Sequence, residues 1–234
     1  MNMPKTVEKQ KTFSCEFCNK SFKREKTLFT HACEQRRRYN SQNDKPIKIA
    51  FATYHKFYKA FHQIKNDKTF KDFAKSPYYI GFVKYGNFCV NTRVINVNKF
   101  TDYVLKYNIP LERWASDNTY TRYLEYMIRA ETVNDALTRS ITQCINYGEE
   151  TNTPPENALK NATNNRIMHW ILDARVSPWM IYNSKTGNEF MSNISSEQLQ
   201  LIWNIIDPDF WHTKFQKYPE DVAFAKKVLT AGGW

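Results

Sequence analysis

From Ile47 onward the chain spaces its large apolar residues three and four apart, the pattern of helix faces turned to a core. Phe51, Tyr54, Phe57, Tyr58 and Phe61 form an aromatic stripe, with Lys56, Lys59 and Lys65 off it. This predicts an amphipathic helix that packs its stripe inward. Aromatics among lysines also suit stacking on a single strand of nucleic acid. The core reading is preferred, because stacking platforms come more often from sheets or loops. His55 and His62 fall two turns apart on that helix, and neither has a metal-ligating neighbour. Residues 75–95, KSPYYIGFVKYGNFCVNTRVI, mix aromatic and β-branched side chains and predict a short helix followed by extended chain.

Residues 96–109 predict a helix that ends before Pro110, and residues 111–147 one or two long helices burying Tyr120, Tyr123, Leu124, Met127 and Ile128. GEETNTPPEN, residues 148–157, is an acidic, turn-rich break. Beyond it a helix is predicted over 158–174, then a turn, SPWMIYNSKTGNEF. SSEQLQLIW opens the next helix with serine and glutamate as an N-cap pair. IDPDFWHTKF and a last helix, PEDVAFAKKVL, follow, and no internal repeat is present.

The N-terminal third differs in kind. Residues 1–75 hold 18 Lys and Arg against 7 Asp and Glu and so carry all of the chain's formal +11. Any electrostatically attracted partner is expected to meet that end. Here the sequence reads Phe13-x-Cys15-x2-Cys18-x3-Phe22-x5-Leu28-x2-His31. Two cysteines three apart present both thiolates to one ion from a hairpin turn, while Phe22 and Leu28 supply a minimal apolar cluster. The pattern resembles the core of a ββα zinc finger, whose metal supplies the folding free energy that so short a segment lacks.

The fourth ligand departs from that family. The usual finger ends with two histidines about one helical turn apart. This chain has His31-Ala32-Cys33, a two-residue step that a regular helix would point to different sides. Cys33 closes the site if the helix unwinds just after His31. The expected zinc ligands are therefore Cys15, Cys18, His31 and Cys33, with Zn²⁺ as cofactor. Resemblance to DNA-reading fingers assigns base contacts to Arg24, Thr27 and Thr30, and phosphate contacts to Arg36, Arg37 and Arg38. One finger covers only about three base pairs. A lone finger therefore needs a second surface or a different job, such as clipping a protein, and the arginine run alternatively reads as a solvated, flexible tail.

The fold expected is mainly α. It comprises a small ββα zinc finger with a basic extension (1–38), a polar linker (39–46), a helical domain whose first part is 47–147, the break at 148–157, and a helical C-terminal part (158–234). Aromatics at 15% of 234 residues argue for packed rather than disordered chain. No apolar run approaches the roughly twenty residues needed to cross a bilayer, and MNMPKTVEKQKTF lacks the apolar centre of a secretory signal. A cytoplasmic protein without a membrane role is expected. Cys89 and Cys144 read as small buried hydrophobes.

No phosphate-cradling glycine loop or nucleophile elbow is present. Asp207 and Asp209 flank Pro208 as a pair able to hold Mg²⁺, though such residues more often cap a turn. His169 and Asp173 lie one helical turn apart, and Glu149-Glu150 sits in the break. Nothing converges on an active site, so no enzyme and no small-molecule substrate are expected.

The finger, the arginine run and the phrases KSPYYIGFVKYGNF, SPWMIYNSKTG and IDPDFWHTKF together resemble T4-like tailed-phage baseplate hub assembly proteins. A residue usage suited to AT-rich codons agrees with a phage source. The resemblance implies a non-enzymatic factor in the host cytoplasm that promotes tail assembly, with other phage structural proteins as partners. Its alternative is a zinc-dependent regulator that binds DNA or RNA through the basic third.

Overall fold

The computed structural model describes residues 12–61 and 67–234; His62 and Lys65 lie outside them. The chain is mainly α, with one two-stranded sheet at its start. It forms two compact units, Met1–Thr119 and Tyr120–Trp234. The sequence places its internal boundary at 148–157, whereas the units divide in the first turn of a helix thirty residues earlier.

The N-terminal unit begins with β1 (Phe13–Ser14), β2 (Ser21–Phe22) and α1 (Glu25–Phe29). Next come α2 (Glu34–Asn40), α3 (Lys45–Phe61), α4 (Phe70–Lys75), α5 (Tyr79–Asn91) and α6 (Val97–Lys106). Helix α3 carries the aromatic stripe and faces the core with it. Tyr54 is buried, and its ring meets Phe73 at 5.1 Å and Phe82 at 5.6 Å between centroids. Phe57 meets Trp114 at 6.2 Å, while Phe61, at the helix end, is exposed.

Residues 75–95 differ from their expected helix-then-strand form, since α5 is continuous across thirteen residues. Tyr79, Phe82, Tyr85, Gly86 and Cys89 recur at helical spacing and are all buried, so packing overrides the β-branched and aromatic propensity. Gly86 fits α5 against the start of α3, because a Cβ there would lie 2.1 Å from the Pro46 carbonyl oxygen. The expected linker at 39–46 is instead the end of α2, a 3-10 turn at Ser41–Asn43 and the first residues of α3.

The C-terminal unit contains α7 (Asp117–Ala130, whose first turn belongs to the unit before), α8 (Val133–Thr151), α9 (Ala158–Asn161), α10 (Asn164–Leu172), α11 (Pro178–Asn183), α12 (Lys185–Asn193), α13 (Ser196–Ile206), α14 (Pro208–Lys217) and α15 (Pro219–Ala231). All five residues expected to be buried between 120 and 128 are so. The expected turn around SPWMIYNSKTGNEF is two short helices, α11 and α12. Pro178, Trp179, Met180 and Ile181 are buried there, and Gly187 brings the α12 backbone against Ile181. Helix 158–174 is split between α9 and α10. Ser195 caps α13 in a reciprocal box with Gln198, not with Glu197, which accepts the Ser195 hydroxyl instead. Cys89 and Cys144 are buried, and burial pushes their thiols up to about 11 and about 12. Both are inert hydrophobes by that measure.

Glu131 and Arg139 bind this unit together. Their side chains are 2% and 16% exposed and form a two-pronged ion pair. Arg139 also donates to the Ala174 carbonyl, and Glu131 accepts from the Ser177 hydroxyl at 3.2 Å.

Candidate metal centre

The hairpin pairs Phe13 with Phe22 and Ser14 with Ser21. Its turn is closed by the Cys15 N–H donating to the Lys20 carbonyl at 2.9 Å and the Asn19 N–H donating to the Cys15 carbonyl at 2.8 Å. Asn19 stands at φ 59°, a left-handed conformation that asparagine tolerates better than most residues. That reversal sets Cys15 and Cys18 side by side.

Helix α1 ends at Phe29, two residues before the expected point. Thr30 is its C-cap, the His31 N–H bonds Leu28, and residues 31–33 are non-helical. The unwinding lets Cys33 fold back to the cluster. Ligand atoms of Cys15, Cys18, His31 and Cys33 all lie within 4.8 Å of one another. The Cys15 and Cys33 sulfurs are 3.7 Å apart, and Cys18 Sγ is 3.2 Å from His31 Nε2. Tetrahedral zinc with Zn–S bonds of about 2.3 Å sets sulfurs about 3.8 Å apart. Three soft sulfurs and one imidazole suit zinc rather than the hard, oxygen-seeking cations. Among the described residues this is the one cluster of three or more such groups able to hold a metal.

Local hydrogen bonds prepare the thiols unequally. The Cys18 backbone N–H, aimed at the Cys15 sulfur, is the main cause drawing that thiol down to about 7, whereas burial raises Cys33. The Phe22 ring flanks the His31 imidazole at 4.9 Å. Between residues 12 and 33 only Cys15 and Cys33 are buried, so the segment has no core beyond its ligands.

Cys33 has a second role that the sequence did not disclose. It is the N-cap of α2, and its sulfur accepts the Arg36 N–H at 3.4 Å. The arginine run is therefore helical rather than a flexible tail. Arg37 pairs with Glu34 at 2.7 Å. Arg38 donates to the Ala74 carbonyl at 3.1 Å and lies 4.4 Å over the Tyr79 ring. Tyr39 bridges Phe17 of the hairpin, at 5.5 Å, to Phe70 of α4, at 5.9 Å. The metal site is thus braced against the helices of its own unit. Glu34 lies three and four residues before Arg37 and Arg38, a helix-supporting spacing that was readable in advance.

Arg24, Thr27, Thr30 and Arg36 are exposed, and the Thr30 hydroxyl donates to the Lys26 carbonyl at 3.1 Å. Phe29 at the end of α1 is 82% exposed. Elsewhere, Asp207 caps α14 by accepting the Phe210 N–H, Glu150 pairs with Arg166, and His169 and Asp173 are exposed. No helix among the described residues is long and apolar enough to cross a membrane.

The arrangement defines a chain with a Cys3His metal-binding cluster mounted on a helical unit. No protein-family model, curated protein or solved structure matches it.

Proposed function

We propose that this is a non-enzymatic, zinc-stabilised binding protein that recognises another protein, and that it acts as a phage assembly factor promoting baseplate hub construction. The reading is carried by how the cluster is mounted. The metal fixes Cys33, Cys33 starts α2, and Arg38 and Tyr39 of α2 hold the finger to α4 and α5. A braced finger presents its exposed Phe29 with little loss of freedom on binding, as a protein-docking knob should. Two of the three arginines offered to phosphates already have intramolecular partners. The family resemblance supplies the tail-assembly setting, in the host cytoplasm. The exposed Arg24 and Arg36 within the basic third favour the second reading, a regulator binding DNA or RNA.

Pulldown from infected cells, with and without nuclease, separates the two. Recovery of tail proteins is expected to survive nuclease and to change little between low and moderate salt. Phe29→Ala is expected to reduce recovery by about tenfold or more, the scale of an interface anchor. Arg36→Ala is expected to leave recovery intact. Loss of every partner on nuclease treatment, with steep salt dependence, would instead establish the nucleic-acid reading.

A further inference from the structure

The fourth ligand separates this cluster chemically from a finger that ends in two histidines, where the only cysteine pair is the hairpin's own. Here Cys15 belongs to the hairpin and Cys33 starts α2, yet their sulfurs are 3.7 Å apart. Disulfide sulfurs lie about 2.05 Å apart, so this pair needs to close by about 1.7 Å. Residues 31–33 are non-helical and can supply that movement.

Both sulfur residues border open space. Cys15 lines a pocket of about 390 Å³ together with Phe17, Leu28 and His31. Cys33 lines another of about 500 Å³ with Glu34 and Asn40. Each is ample for a molecule as small as hydrogen peroxide. Cys89 and Cys144 are instead buried within α5 and α8, where a thiol is inert.

Loss of the ion would not stay local. Between residues 12 and 33 only Cys15 and Cys33 are buried, so the finger keeps no core of its own. The Cys33 sulfur also caps α2, whose Arg38 and Tyr39 reach α4 and α5. A disulfide sulfur accepts the Arg36 N–H more weakly than a thiolate does.

We propose that Cys15 and Cys33 form a redox switch, in which a peroxide couples the two thiolates as a disulfide, zinc is released and α2 loses its cap. The S–S bond forms as the peroxide O–O bond breaks. Two electrons pass from the sulfurs to the oxygens, and two protons turn these into two waters. Cys18 and His31 remain as two donors, too few for a tetrahedral zinc site. A thiol reductant reverses the step. The inference rests on the cluster holding zinc and is independent of what the finger docks against.

The test treats the full, reduced, zinc-loaded chain with a small excess of hydrogen peroxide. A chromogenic chelator follows zinc, peptide mapping locates disulfides, and hydrogen exchange reports on α2. One zinc is expected to leave for each disulfide formed, with the Cys15–Cys33 link predominating. The Arg36 amide should exchange at least about fivefold faster, the scale of a lost N-cap. Dithiothreitol and added zinc should restore both metal and protection. A reduced chain without zinc overturns this inference together with the metal reading. A zinc-loaded chain that keeps its ion, links Cys15 to Cys18, or forms sulfinate without a crosslink overturns the inference alone. So does unchanged protection of α2 in the crosslinked chain.

Discussion

Cys33→Ser releases the metal while leaving α2 capped, and Cys33→Ala loses both. The prediction follows from the two roles of one sulfur, which closes the Cys3His cluster and accepts the Arg36 N–H. A serine hydroxyl replaces the cap well but is a poor substitute for thiolate on zinc. Loss of a direct ligand should weaken zinc binding by more than the ~10–100-fold typical of outer-shell changes. In both variants residues 12–33 lose their amide protection, because nothing but the ligands is buried there. Cys33→Ala should in addition destabilise α2 by about 1 kcal/mol, the usual worth of an N-cap. Hydrogen exchange of the α2 amides distinguishes the two. Equal α2 protection in both variants would remove the capping role, and retained zinc in Cys33→Ser would remove Cys33 from the ligand set.

Arg139→Met is expected to destabilise the C-terminal unit by about 3–5 kcal/mol, the cost of leaving a buried charge without its partner. Glu131 has a side chain 2% exposed and would keep only the Ser177 hydroxyl. An exposed pair such as Arg37 with Glu34 is worth at most about 1 kcal/mol, so the magnitude separates the two situations. Adding Glu131→Gln to Arg139→Met should recover part of the loss, since the stranded charge is then gone. Urea unfolding monitored through the tryptophans measures it. A loss below about 1 kcal/mol would show that Glu131 reaches water or takes up a proton at little cost.

What could be read in advance follows physical lines. The candidate ligands Cys15, Cys18 and His31 were legible because a metal fixes its donors' spacing locally, and the α3 stripe because a buried helix face repeats every three or four residues. The continuous α5 was not, since Tyr79, Phe82, Tyr85 and Cys89 are helical only because the unit buries them together. The short α11 and α12 escaped for a related reason. SPWMIYNSKTGNEF is full of turn formers, but Ser177 and Ser184 use their hydroxyls as successive N-caps. The roles of Arg38 and Tyr39 depend on Ala74, Tyr79 and Phe70, more than thirty residues away, and no local pattern announces such contacts. A cavity of about 940 Å³ in the C-terminal unit is likewise lined from α7, α8, α11, α14 and α15 and has no sequence signature.

The role proposed for the N-terminal unit requires one ion held by three sulfurs and one imidazole. Zinc-edge X-ray absorption on the purified chain, combined with metal analysis, tests that directly. One zinc per chain is predicted, with three sulfurs at about 2.3 Å and one nitrogen at about 2.0 Å. Substoichiometric zinc, or a first shell made of oxygen and nitrogen, would contradict it.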